Sequence, residues 1–140
     1  MDLQIDDFYK DVASALVLLY QSFPRRVPVY VEDLIGRETV DEFGLPSKRH
    51  QSCLGALLWL ADEGYLRYET RIHYEALDQA VLTERAVIRL TSLVVTDPPS
   101  EVPAGIHRVR GSLAHALREA LVAHDSERIA TTTRCFLTKS

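Results

Sequence analysis

Apolar residues recur with two different periods along this chain, and the switches between them divide it. Ile5, Phe8, Val12, Ala15, Leu16 and Leu19 keep helical spacing, which predicts a first helix over Asp6–Tyr20. Asp6 and Asp7 fall in its first turn, where the helix dipole favours negative charge, and Phe23-Pro24 ends it. A second helix is predicted over Pro28–Ile35, with Val31, Leu34 and Ile35 inward and Gly36 as its stop. The next seven residues, RETVDEF from Arg37 to Phe43, have two readings. Either helix 2 runs on through Glu42 in spite of Gly36, or an extra turn is inserted. Gly44-Leu45-Pro46 then turns the chain.

Ser47 is an N-cap for a third helix that buries Leu54, Leu57, Leu58 and Ala61. On the opposite face lie Lys48, Ser52, Gly55 and Trp59, with Gln51 at its edge. Gly64 stops this helix, and a period of two takes over. Leu66 and Tyr68 point one way, Tyr65, Arg67 and Glu69 the other, and Arg71–Tyr74 continues the strand. A turn near Ala76–Asp78 would bring the chain back through Gln79–Leu82. The rival is one long helix over His73–Val95, because Leu77, Val81, Ile88 and Val95 tolerate that period. Thr83 favours the hairpin. It has the character of an N-cap for a fourth helix, TERAVIRLTS, with Val87, Ile88 and Leu90 inward.

TDPPSEVP, Thr96–Pro103, is a proline-rich break. After it Ser112 can cap a last helix, SLAHALREALVAH, with Leu113, Ala116, Leu117, Ala120 and Leu121 on one side. Asp125 or Ser126 starts a further helical turn through Cys135. The apolar stripe of the last helix needs cover. A homodimer held by Leu113, Leu117 and Leu121 is the expectation. The alternative is that the helix folds back over helix 1, covering Val17 or Trp59.

The capped third helix, the following DEGYL, the hairpin and the LTE that closes it resemble the winged-helix branch of the helix-turn-helix superfamily, over roughly Asp6–Ser92. The resemblance implies a mainly α fold with a small antiparallel β-hairpin. It divides the chain into a winged-helix domain at 1–95, a proline-containing connector at 96–111 and a C-terminal helical extension at 112–140. It also implies double-stranded DNA as the partner, bound by a small transcriptional regulator with helix 3 in the major groove. Lys48, Gln51 and Ser52 would then read base edges, and Arg49 would hold phosphates. Arg67, Arg71 and His73 would add contacts from the wing. Charges at Arg67, Arg71 and His73 serve equally well to guard a strand edge.

Charge cuts against DNA. The formal net charge is -4, and Asp2, Asp6, Asp7 and Asp11 face only Lys10 in the first helix. Yet no acid occurs from Phe43 to Ala61, where Lys48 and Arg49 sit. The second functional reading is a winged-helix protein–protein interaction module within a larger assembly. The acidic balance, the acidic first helix and the irregular segment before helix 3 support it. A DNA binder needs one continuous basic face across helix 3 and the wing, whereas an interaction module shows an apolar or mixed patch there.

Length and composition set the remaining bounds. At 140 residues, 46% hydrophobic and 26% charged, the chain is an ordinary globular domain. No apolar run approaches the roughly 20 residues that span a bilayer, the start is acidic rather than signal-like, and two cysteines make no disulfide framework. A cytoplasmic protein is expected. His50 and Cys53, three apart on helix 3, read as a surface histidine beside a partly buried cysteine, since two ligands do not make a zinc site. CxxC, HExxH, GxSxG, Walker and GxGxxG patterns are all missing, so neither a cofactor nor an enzyme is expected. Trp59 is read as packing under the N-terminal arm or the C-terminal helix, or as a partner contact.

Overall fold

The first helix is the axis of the structure because its apolar residues occupy more than one side. Val12, Ala13, Ala15, Leu16 and Leu19 of α1 (Leu3–Ser22) are all buried. A helix so patterned needs neighbours on several flanks. The computed structural model describes residues 3–93 and 111–139, and these form a mostly helical fold with a small antiparallel sheet.

The second element departs from the expected helix. Val27–Tyr30 is a strand, β1, and only Val31–Ile35 is helical, as α2. Val29 is buried while Pro28 and Tyr30 are exposed, an alternation that suits a strand. Pro28 lacks an N–H to give a ladder, and β1 lies at the edge of the sheet, where that is tolerated. Gly36 ends α2 at φ 84, so the inserted-turn reading of Arg37–Phe43 holds. Asp41 organises that insertion: its Oδ1 accepts from the main-chain N–H groups of Phe43 (2.9 Å) and Leu45 (2.8 Å).

Ser47 caps α3 (Lys48–Asp62), accepting from the His50 N–H at 3.0 Å. Two short strands follow, β2 (Leu66–Arg67) and β3 (Thr70–Ile72). Both pair antiparallel with β4 (Ala76–Leu82), whose other edge carries β1. A strand at Ala76–Leu82 rules out the long helix over His73–Val95. The turn falls at His73–Glu75 rather than Ala76–Asp78, with the Glu75 N–H donating to Ile72 O at 2.8 Å. His73, at φ 47, takes the left-handed position that glycine or asparagine usually fills.

Thr83 caps α4 (Glu84–Thr91), accepting from the Ala86 N–H at 3.4 Å and donating to Gly64 O at 2.6 Å. Ala86 and Leu90 are buried, but Ile88, expected inward, is 59% exposed. So short a helix buries one narrow stripe, and Ile88 lies off it.

An isolated bridge pairs Leu93 with Ser112. Ser112 caps α5 (Leu113–Val122), and Asp125 caps α6 (Ser126–Thr138), which runs past the expected end at Cys135. The connector expected at 96–111 lies outside the described residues except for Gly111. The dimer stripe needs correction. Leu113 and Leu117 have no exposed surface, and Leu121 is half-buried against the same cluster. α5 packs on α1 and α6 of its own chain, so the fold-back alternative holds. Among the described residues no helix is long and apolar enough to cross a membrane.

Candidate functional site

The amino-terminal turns of α3 are fastened on two sides. Arg49 turns inward and donates two hydrogen bonds, each 2.7 Å, to the Asp11 carboxylate, with Asp7 3.6 Å away. Asp11 is only 2% exposed, so this fork lies at the α1–α3 interface. The bond to Asp11 raises the Arg49 pKa further above its ordinary value. Arg49, expected to hold phosphates, therefore has its charge answered within the chain. Beside it Cys53 is buried, and burial pushes its thiol up to about 12. On the other side His50 Nε2 lies 2.6 Å from Tyr74 O and ties α3 to the turn between β3 and β4. His50 is 8% exposed, not the surface residue its neighbours suggested. Trp59 packs under the amino-terminal helix, edge-on to Phe8 with ring centroids 5.1 Å apart.

Lys48, Gln51, Ser52 and Gly55 remain on the outer face of α3. A Cβ placed on Gly55 would meet nothing within 4 Å, so this lane is bare. Gln51 donates to Pro46 O at 2.9 Å, which ties its amide to the segment before the helix. Arg67, Arg71 and His73 are exposed, and Arg67 and His73 line different hollows. Arg67 lines a hollow with Phe23, Pro24 and Arg26, whereas His73 lines one with His50 and Tyr74. Arg26 is paired with Glu69 at 2.8 Å.

The inserted segment 36–46 dominates this side instead. It lines two hollows, one of about 310 Å³ by the turn between β3 and β4 and one of about 400 Å³ beside the first turn of α3. Val40 and Pro46 line both. Val40 is 61% exposed, Phe43 79%, Leu45 48% and Tyr74 51%. Carboxylates surround them: Glu32, Glu38 and Glu75 line the first hollow, and Asp41 lines the second. None of these residues stood out as functional in the sequence. The available signal was an insertion whose apolar Val40, Phe43 and Leu45 belong to no helical stripe.

Among the described residues no group of three or more histidine, cysteine or acidic side chains could hold a metal ion. Compared with models of protein families, with curated proteins and with solved structures, the chain matches none.

Proposed function

We propose that this chain is a winged-helix protein-interaction module. Its contact face comprises residues 36–46, the first turn of α3 and the turn between β3 and β4. The observation that carries this reading is the grouping of exposed Val40, Leu45 and Tyr74 around two hollows, with Phe43 exposed in the same inserted segment. Large apolar side chains gathered at one place and rimmed by charge are a mark of protein contact sites. The element order helix–strand–helix–helix–strands, with sheet order β1-β4-β2, supports the winged-helix part of the reading.

Duplex DNA is the second reading, favoured by the bare lane of Lys48, Gln51, Ser52 and Gly55. Its weakness is electrostatic. Asp41 lies with Lys48 and Gln51 around one hollow, and Arg49 is neutralised by Asp11. A phosphate approaching α3 would meet Lys48, unpaired among the described residues, beside the Asp41 carboxylate.

Quantitative affinity capture from the native host tests the proposal. The baits are the wild-type chain, the Phe43→Asp/Tyr74→Asp double variant, and Val122→Asp, an exposed control on α5. The expected result is a protein recovered by wild type and Val122→Asp and lost with the double variant. Equal recovery by all three baits, or none by any, overturns it.

A further inference from the structure

Resting on that interaction face, we infer that its partner is a basic segment, which places an arginine or lysine in the hollow by the turn between β3 and β4. The hollow, about 310 Å³, has room for such a side chain, and three carboxylates line it together with His50 and His73. Val40, Pro46 and Tyr74 give it apolar walls, and Glu32, Glu38 and Glu75 supply its negative charge. These carboxylates are poorly satisfied by the chain itself. Glu75 makes no side-chain hydrogen bond or ion pair among the described residues. Glu38 accepts one hydrogen bond, from Ser47 Oγ at 3.1 Å. Glu32 has Arg37 at 3.6 Å, with the Arg37 side chain 86% exposed.

Long cationic side chains lay an apolar stem along apolar surface and keep the charged head among polar groups. Here the stem would lie on Val40 and Pro46 and the head would reach Glu38 and Glu75. The Tyr74 ring adds a face that attracts a cation. A guanidinium fits best, because its fork can hold two carboxylates at once. Apolar residues beside that arginine in the partner would cover Phe43 and Leu45, which lie outside the hollow and are exposed. An acidic partner segment would instead bring like charges together.

The test follows backbone amide signals while three capped peptides, LRLRL, LQLQL and LELEL, are titrated into the intact protein. LRLRL is expected to shift Glu38, Val40, Tyr74 and Glu75 in a saturable manner, and LELEL to leave them unmoved. The Glu38→Gln/Glu75→Gln variant should weaken LRLRL about a hundredfold, roughly tenfold for each of the two charge-assisted hydrogen bonds lost. Glutamine keeps an acceptor for Ser47, so this variant should retain the wild-type spectrum elsewhere. Equal binding of LQLQL or LELEL at the same face overturns the basic assignment and leaves the interaction face standing. Failure of all three to shift this face overturns the assignment, and the capture experiment then decides the parent reading alone.

Discussion

Leu117→Ala probes what the last apolar stripe is for. Leu117 sits midway along α5 with no exposed surface, in the cluster that includes Leu16, Leu113, Ile129 and Phe136. Removing its branched end forfeits transfer free energy and leaves a cavity, together about 2–5 kcal/mol for a leucine so enclosed. For a domain of this length each kcal/mol moves Tm by roughly 3–5 °C. The expected fall is therefore roughly 6–25 °C. Thermal unfolding followed by far-ultraviolet circular dichroism measures it, with wild type and variant each run over a wide range of concentration. A residue buried in its own chain gives a Tm independent of concentration in both proteins. The reasoning is refuted if wild-type Tm climbs with concentration while the variant unfolds as a monomer of unchanged stability. That pattern would return Leu113, Leu117 and Leu121 to a dimer interface.

Thr83→Ala should cost about 1–2 kcal/mol in urea unfolding, because it removes the cap of α4 and the donor to Gly64 O, whereas Thr83→Ser should keep most of both. Cys53 should resist thiol reagents at mild alkaline pH until the protein unfolds, while half-buried Cys135 reacts first. The folded pKa of Cys53 is raised from 9.0 to about 12, so the native state keeps a proton that the unfolded chain releases. That contribution to stability is complete below pH 9 and declines as pH rises towards 12, and a Cys53→Ser control should lack the decline. At the turn between β3 and β4, His73→Val should cost about 1–2 kcal/mol by the same unfolding assay, since a β-branched residue fits poorly at φ 47, while His73→Gly should be close to neutral.

Features that depend on one side chain and its near neighbours were legible in the sequence. Ser47, Thr83, Ser112 and Asp125 all cap helices, because a short polar side chain ahead of an apolar-periodic run answers a local need. The hairpin was legible for a similar reason, from alternation at Tyr65–Glu69 and the cap that follows. The strand β1 was not, because Pro28 suits the first turn of a helix as well as an edge strand, and four residues carry little periodicity. The turn position was missed because His73 takes a conformation that sequence assigns to glycine or asparagine. Distant partners were illegible altogether. Asp11 and Arg49 meet across 38 positions, and helical spacing shows that Leu117 is buried without showing what covers it. The apolar face at 36–46 went unseen because exposure is decided by the fold, and periodicity there read only as an irregular insertion.

The central claim is that this face meets protein and not nucleic acid. Its most direct test is the salt dependence of binding to a fluorescent duplex of random sequence, read by anisotropy from low to physiological ionic strength. The expected result is no retention of the duplex even at low salt, consistent with the inward Arg49 and with Asp41, which shares a hollow with Lys48. Retention that weakens steeply with salt would contradict the claim, most pointedly if Lys48→Ala lowered the log-log slope by about one unit.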